Sequence, residues 1–414
     1  MNLHLTFRPT RRSLCAVAVL AAALQPAALA AQAATSGAFV ITLGKDTTAV
    51  EQYTRSGNTV EGDLVVRQNG TVVHHYKLTL NPDGTPATLV VTPRRADGSV
   101  IPRNYRSAQT TYTADSVITV LSLDTTTIER RLGVTRAFPA VSGGLSPSMA
   151  MYEVLLANMR ATKTDSASFI MLGPAQVRPG LPSWLKFYGP DSARIWIRFA
   201  PPTPAGPYVQ YVQIDRTGRV LGFSGLATTQ KFVVQRLPSL DVAKLATAFA
   251  AADAAGKGFG ATVTNLVDSV RATIGAAHIA VNYSRPFARG REVFKDGVLG
   301  DTLWRTGANN ATMFSTDADL VINGATIPAG SYTLWTHVTA GNRSYELIFN
   351  KQIKQWGTDY HADQDLVRVP LVVSKLSSPI EAFQIVVRPQ GSGGVIALDW
   401  ATTELSTVFS IKER

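Results

Sequence analysis

The sequence predicts a mainly β protein with two β-rich domains and one or two short helices between strands. Three observations support this fold class. Short alternating or β-branched runs recur along the chain, tight-turn pairs such as Asn69-Gly70 and Asp83-Gly84 separate them, and 414 residues exceed what one hydrophobic core usually holds. We therefore expect an N-terminal antiparallel β-meander or curved sheet, followed by a C-terminal β-sandwich.

Residues 1–33 have the pattern of a secretory signal peptide. Three arginines form a basic start, an apolar run extends from Leu14 to Leu24, and small-residue cleavage sites follow it. The apolar run is shorter than a membrane-spanning helix requires. We expect cleavage before Ala34 and export to the periplasm or the cell exterior, with no transmembrane span in the mature chain. Sec and twin-arginine export both remain open.

The expected mature chain contains no cysteine, because Cys15 lies within the signal. Disulfides, thiol catalysis and zinc-thiolate sites are therefore excluded. Removing the three signal arginines from a formal net charge of +11 leaves +8, which suits anionic lipid or polysaccharide outside the cytoplasm. Nucleic acid is not an expected partner, because the chain has no dense Lys/Arg tract.

Residues 36–238 are expected to form the first domain, an antiparallel β-rich unit. Its turn pairs also include Asp97-Gly98 and Thr217-Gly218. One helix is expected inside it, since Met151, Leu155 and Met159 recur at steps of four after a proline suited to a first helical turn.

Residues 239–265 are expected to be a helical joint between the domains. Val242, Leu245 and Phe249 form an apolar stripe, and the glycines at 256 and 258 can end the helix. Residues 266–414 then return to strand patterns that alternate apolar and polar positions. Three such runs are Tyr345/Leu347/Phe349, Phe383/Ile385/Val387 and Ile396/Leu398/Trp400. Sheets with one buried and one polar face pack as a sandwich.

An ordered series of motifs covers residues 266–411. The series comprises Ile274-Gly275, Tyr283-Ser284-Arg285-Pro286, Gly290-Arg291, Trp304-Arg305-Thr306-Gly307-Ala308-Asn309, Ile327-Pro328-Ala329-Gly330-Ser331-Tyr332-Thr333-Leu334, Ile348-Phe349-Asn350-Lys351, Gln355-Trp356-Gly357 and Leu398-Asp399-Trp400. This region resembles the bacterial family called domain of unknown function 2911. The resemblance implies an exported, compact all-β domain and no particular reaction, so it supplies no catalytic residues. No family is recognised for the N-terminal region.

The segment from Trp304 to Asn309 is a first candidate ligand site. Trp304 offers a stacking face, Arg305 a planar donor fork and Asn309 a pair of hydrogen-bonding groups, which together suit a small anionic or sugar-like ligand. Arg285 and Arg291, near Tyr283, are candidates for the same patch if the first sandwich strand lies beside the Trp304 loop. The alternative is that these arginines have a structural role at the edge of the sandwich. The alternative is structural, with Trp304 in the core and Arg305 paired with Asp301 or Asp399.

A hairpin in the N-terminal region is a second candidate site. Its aliphatic residues alternate with an aromatic-basic set across the turn at Gly189-Pro190-Asp191. The aromatic-basic set is Trp184, Lys186, Tyr188, Arg194, Trp196 and Arg198. Such a face suits a saccharide or a lipid headgroup, and the alternative is that the cationic stems simply cover tryptophans at the rim of a sheet.

Metal and catalytic motifs are weak, so we expect no metal site and no cofactor. His74 and His75 are neighbours on a strand and point to opposite faces. The acidic loop from Asp359 to Asp365 lacks the spacing of a calcium loop, and no nucleophile elbow, metalloprotease pair or phosphate loop occurs.

We expect a noncatalytic exported protein that binds a small anionic, glycan-like or lipid-like ligand. One alternative is a hydrolase that acts on envelope or imported polymers, with its site between the domains. The other is a structural envelope component with a protein partner. The identity of the ligand, the domain arrangement and the oligomeric state stay open.

Overall fold

The computed structural model describes residues 34–142, 146–174, 176, 182–197, 208–226, 231–257, 259, 265–291, 293–294, 303–338 and 344–412. The predicted signal peptide, residues 1–33, lies outside these ranges. Within them, strands dominate and two α-helices occur, which confirms the mainly β fold class.

The first sheet contains fifteen strands among the described residues. They are β1 Thr35–Leu43, β2 Asp46–Ser56, β3 Thr59–Val66, β4 Val72–Leu80, β5 Pro86–Arg94, β6 Ser107–Tyr112, β7 Ser116–Ser122, β8 Thr127–Gly133, β9 Ala137–Pro139, β10 Ser166–Leu172, β11 Pro182–Phe187, β12 Ser192–Ile197, β13 Tyr208–Ile214, β14 Val220–Ser224 and β15 Phe232–Leu237. The order across the sheet is β8-β7-β6-β5-β4-β3-β2-β1-β15-β14-β13-β12-β11-β10-β9. The predicted meander is thus confirmed, with β1 between β2 and β15; among the described strands, one pair is parallel, β9 with β10.

Two helices pack on opposite faces of this sheet. The first, α1 (Met149–Ala161), connects β9 to β10 and buries most of its residues in the large apolar cluster on one face. The second, α2 (Val242–Ala254), follows β15 and packs through Ala246 against Val50 and Val65 on the other face. Both helices were predicted, and Asp241 caps α2 by accepting a hydrogen bond from the main-chain N–H of Lys244 (2.9 Å).

The C-terminal region forms a second β structure. Its strands are β16 Asn265–Ile274, β17 Ala277–Pro286, β18 Leu303–Trp304, β19 Thr312–Thr316, β20 Leu320–Ile322, β21 Ala325–Ile327, β22 Gly330–Val338, β23 Tyr345–Asn350, β24 Asp365–Gln390 and β25 Gly393–Ile411, with a short 3₁₀ turn at Ala362–Gln364. Along the main path the order is β16-β17-β19-β22-β23-β24-β25-β20-β21, and β18 pairs with β22.

The long hairpin β24–β25 joins the two layers of the predicted sandwich. The first part of β24 pairs with β23, and its register against β25 shifts between Lys375, Ile380 and Gln384. Opposite these shifts, Ala401 has a φ of 50°, a rare conformation for a residue with a side chain. The hairpin therefore bends in its middle, and its two halves contribute to one shared apolar cluster.

The predicted polar face of β25 is wrong for its first half. The whole stretch 393–400 is buried, including Asp399 between Leu398 and Trp400. A strand covered on both faces loses the alternation that a half-exposed strand shows.

Residues Ala34–Arg414 group as one compact unit. The predicted boundary at 239–265 between two domains therefore stays a prediction, although each β structure has its own large apolar cluster. Within the described part of the chain, no helix is both long enough and apolar enough to span a membrane.

Candidate functional site

The predicted hairpin of β11 and β12 has one aliphatic and one aromatic-basic face. Leu185 and Phe187 are buried against the face that carries α1, whereas Lys186 and Tyr188 are exposed and Trp184 is half-buried on the opposite face. The side chain of Trp196 and all of Arg198 lie outside the described residues.

Two cations face each other on this hairpin. Lys186 pairs directly across the strands with Arg194, and Arg194 in turn pairs with Tyr211 of β13. The guanidinium carbon of Arg194 lies 4.2 Å from the ring centre of Tyr188 and 5.3 Å from that of Tyr211, while the ammonium of Lys186 lies 5.7 Å from the Tyr188 ring. Among the described residues, no carboxylate lies within salt-bridge distance of either cation. We call Trp184, Lys186, Tyr188, Arg194 and Tyr211 the hairpin face.

The Trp304 to Asn309 segment is mostly buried. Trp304 is 5% exposed and stacks on Trp400, with ring centres 5.5 Å apart, and its indole N–H donates to the carbonyl oxygen of Gly307 (2.8 Å). Arg305 is also buried and donates from Nη1 to the carbonyl oxygen of Asn309 (3.1 Å). Only Asn309 is well exposed, with a φ of 60°. These groups therefore do not form a shared open surface.

Asp301 and Asp399 are the two partners expected for Arg305 in the structural alternative. Asp301 lies outside the described residues, and Asp399 accepts a hydrogen bond from Nε2 of Gln384 (3.2 Å). Burial is the main reason that the pKa of Asp399 is raised.

Tyr283 and Arg285 connect β17 to β24. Tyr283 is buried, and its hydroxyl accepts from the main-chain N–H of Ile385 (3.0 Å). Arg285 donates from Nε to the carbonyl oxygen of Phe383 (2.8 Å) and pairs with Asp268 (3.1 Å). Their polar groups are used within the fold.

Arg291 has a different setting, at the edge of a cavity. Its Nε donates to the carbonyl oxygen of Ala288 (2.8 Å) and its Nη2 to that of Phe287 (2.6 Å), which fixes the plane of the guanidinium. Nη1 has no hydrogen-bond partner among the described residues. The cavity has a volume of about 690 Å³ and lies at the bend of the β24–β25 hairpin. Its lining consists of Ala288, Gly290, Arg291, Val293, Phe294, Tyr345, Val373, Pro379, Ile380, Glu381, Ala401, Thr402 and Thr403.

A cluster of charges surrounds Arg291. Arg289 is buried, pairs with Asp46 (2.5 Å) and lies over the ring of Phe259 (4.4 Å). Burial, and to a lesser degree Arg291, lower the pKa of Lys231 to about 7; burial and then Arg289 lower the pKa of Arg291 to about 10. The positive charges therefore repel one another, and few water molecules screen this repulsion because the groups are largely buried.

Sequence reasoning named Arg291 but missed Lys231, Arg289 and Phe294. Lys231 is separated from Arg291 by many residues, and its only local signal is the short apolar strand that follows it. Tyr211 was missed on the hairpin face for a similar reason, because β13 lies beyond the hairpin that the pattern identified.

No group of three or more potential metal-ligating side chains occurs among the residues that the structure describes. His74 and His75 do point to opposite faces: His74 is largely buried, whereas His75 is exposed beside Asp63 (3.0 Å). In the acidic loop, Asp365 interacts with neighbouring residues of the protein: it accepts a hydrogen bond from the hydroxyl of Tyr360 (2.6 Å) and forms an ion pair with Arg368 (2.8 Å).

Comparisons with known proteins add little about activity. No curated protein matches the chain. One solved structure, described as "Cell entry of botulinum neurotoxin type C is dependent upon interaction with two ganglioside molecules", shares 9% identity over 93% of this chain and 89% of that chain, with a TM-score of 0.11. A score this low carries no argument. The C-terminal region, residues 267–409, matches the family described as "Protein of unknown function (DUF2911)", which confirms the resemblance seen in its motifs.

Proposed function

We propose that the protein is exported and binds an acidic, glycan-like ligand noncatalytically on the hairpin face. The observation that carries this proposal is the directly opposed pair Lys186 and Arg194, which has no carboxylate partner among the described residues. Like charges opposite each other across two strands destabilise a sheet. A bound carboxylate or sulfate between them removes that repulsion.

The aromatic residues prepare Arg194 for such a ligand. The rings of Tyr188 and Tyr211 both lie within cation–π distance of its guanidinium, and a guanidinium beside aromatic rings keeps planar N–H donors that can grip a carboxylate or sulfate. Both rings remain more than 40% exposed and offer flat apolar area to the C–H face of a sugar ring. The arrangement thus combines the guanidinium donors of Arg194, which can bind an anion, with tyrosine rings on which a sugar ring can stack.

A membrane surface fits these observations less well. Each Lys or Arg near an anionic membrane contributes about 1 kcal/mol, so the two described cations supply roughly 2 kcal/mol. Stable membrane docking usually requires a larger basic cluster or a broad apolar face. An acidic glycan needs only one anionic group per pair of cations.

Calorimetric titration tests the proposal on the chain that begins at Ala34. Hexagalacturonate should bind, whereas its uncharged methyl ester should bind at least tenfold more weakly. Lys186→Gln or Arg194→Gln should each weaken hexagalacturonate binding about tenfold, which corresponds to the loss of about 1.4 kcal/mol.

Lys351→Gln is the matched control, because it removes one exposed positive charge from another surface. An equal loss in this variant, or equal binding of the ester, would show that binding depends on net charge alone. If the protein binds anionic vesicles more tightly than the oligosaccharide, the ligand of the hairpin face is a membrane surface and not a glycan. The mass of the mature N-terminus, measured on protein recovered outside the cytoplasm, tests export separately.

A further inference from the structure

The cavity beside Arg291 has both charged and apolar groups in its lining. The guanidinium of Arg291, which two main-chain carbonyl oxygens hold in place, and the neighbouring Gly290 belong to this lining. The rest of the wall is mixed: Phe294, Val373 and Ile380 are apolar, and Tyr345, Glu381, Thr402 and Thr403 add polar groups. Phe294 is itself held in place, because its ring meets those of Tyr345 and Trp400 edge to face at 6.0 and 6.2 Å.

The charges around the guanidinium favour an anion. Three cations, Lys231, Arg289 and Arg291, act on this region, and the described carboxylates are Asp46 and Glu381. Asp46 pairs with Arg289, and Glu381 accepts from the main-chain N–H of Arg289 through Oε1 (2.8 Å). Burial is the main reason that the pKa of Arg291 is lowered to about 10, and an anion beside this poorly solvated guanidinium would stabilise its charged form.

We propose that this cavity binds a small amphiphilic anion, one that carries a single carboxylate or phosphate ester on a short aliphatic or aromatic body. The anionic group lies at Nη1 of Arg291, which is the unused donor of a rigidly held fork. The body covers the apolar residues of the wall. A volume of about 690 Å³ is typical of sites for ligands of this size and is much larger than inorganic phosphate requires.

This site is independent of the hairpin face. It lies in the C-terminal β structure, whereas the hairpin face lies on β11, β12 and β13 of the first sheet. Loss of glycan binding therefore leaves the cavity proposal intact, and the reverse also holds.

Calorimetry with 4-phenylbutyrate and its uncharged amide tests the proposal on the chain from Ala34. The acid should bind, and the amide should bind at least tenfold more weakly. Arg291→Gln should lower the affinity for the acid about tenfold and make the acid and the amide equal. Inorganic phosphate alone should bind more weakly than phenyl phosphate.

A second variant keeps the test decisive if Arg291→Gln does not fold. Val373 is half-exposed at the cavity wall, so Val373→Trp should fill the space and abolish binding of the acid. Val408→Trp is the matched control, because Val408 is similarly exposed on β25 and does not line the cavity; it should bind the acid normally. The proposal is overturned by no binding of the acid to the wild-type chain, by equal binding of acid and amide, or by normal binding in Val373→Trp.

Discussion

Two buried carboxylates hold α1 against one face of the first sheet. Glu51 accepts from the hydroxyl of Tyr76 (2.8 Å) and from the first main-chain N–H of the helix, that of Met149 (2.6 Å). Glu153, on the helix itself, accepts from the main-chain N–H of Val220 (2.6 Å) and pairs with Arg236 (2.5 Å). Burial is the main cause that raises the pKa of both, and that of Glu153 reaches about 7.

The raised pKa of Glu153 predicts a stability that falls as pH rises. Between pH 4.5 and 7 the unfolded chain releases this proton while the folded chain keeps it, so the free energy of unfolding decreases by up to about 1.4 kcal/mol per pH unit from this group. Glu153→Gln should remove this contribution. Urea unfolding at several pH values measures it as the wild-type value minus the variant value, and parallel curves would contradict the prediction.

His74 predicts the opposite slope. Its side chain is half-buried, its buried Nδ1 atom has no hydrogen-bond partner among the described residues, and desolvation lowers its pKa to about 4. Between pH 6.5 and 4 the unfolded chain binds a proton at this histidine, whereas the folded chain does not. The free energy of unfolding therefore decreases as pH falls.

His74→Leu should therefore make the protein less sensitive to acid than the wild type by up to about 3 kcal/mol across that range. His75→Gln, a change at the exposed neighbour, is the control and should keep the wild-type sensitivity. Acid unfolding followed by circular dichroism distinguishes the two variants; equal behaviour would contradict the assignment to His74.

At the level of elements, the bent hairpin β24–β25 depends on a glycine. A Cβ atom at Gly393 would lie 1.9 Å from the carbonyl oxygen of Phe409, near the other end of the same strand. The close approach of the two layers thus requires a residue without a side chain here. Main-chain atoms cannot move aside as a flexible side chain can.

Gly393→Ala should destabilise the protein by roughly 1–3 kcal/mol, because the added methyl group overpacks the contact. Gly133→Ala on the edge strand β8 is a suitable comparison, since no atom lies within 4 Å of its added Cβ. That change should stay within about 0.5 kcal/mol. Thermal unfolding of the two variants gives the difference, and similar melting temperatures would mean that the layers separate easily at Gly393.

Local patterns predicted those elements whose two faces differ. The β11–β12 hairpin was correct because Leu185 and Lys186 report opposite environments within one strand. The burial of Trp304 was one of two alternatives for its segment, and only the fold decides between them, since it brings Trp400 and Gly357 to the segment from distant parts of the chain. The cavity was missed for the same reason.

For the whole molecule, polar contacts connect the first sheet to the C-terminal structure. The main-chain N–H of Lys45, in the turn between β1 and β2, donates to the carbonyl oxygen of Arg289 (3.0 Å), and Asp46 pairs with the same arginine. Gly44 allows this approach, since a Cβ there would lie 2.1 Å from that carbonyl oxygen. The two large apolar clusters, in contrast, share no residue.

Because the two apolar clusters are separate, we expect two unfolding transitions in scanning calorimetry. Burial of apolar side chains supplies most of the cooperativity of a core, and a few polar contacts couple two cores only weakly. Leu64→Ala lies in the first cluster and Leu347→Ala in the second, and each should remove about 2–5 kcal/mol from its own part. Each variant should therefore lower one transition and leave the other nearly unchanged. A single transition that both variants lower equally would contradict this expectation: residues Ala34–Arg414 would then unfold as one cooperative unit, and the polar contacts at the buried Arg289 would couple the two structures strongly.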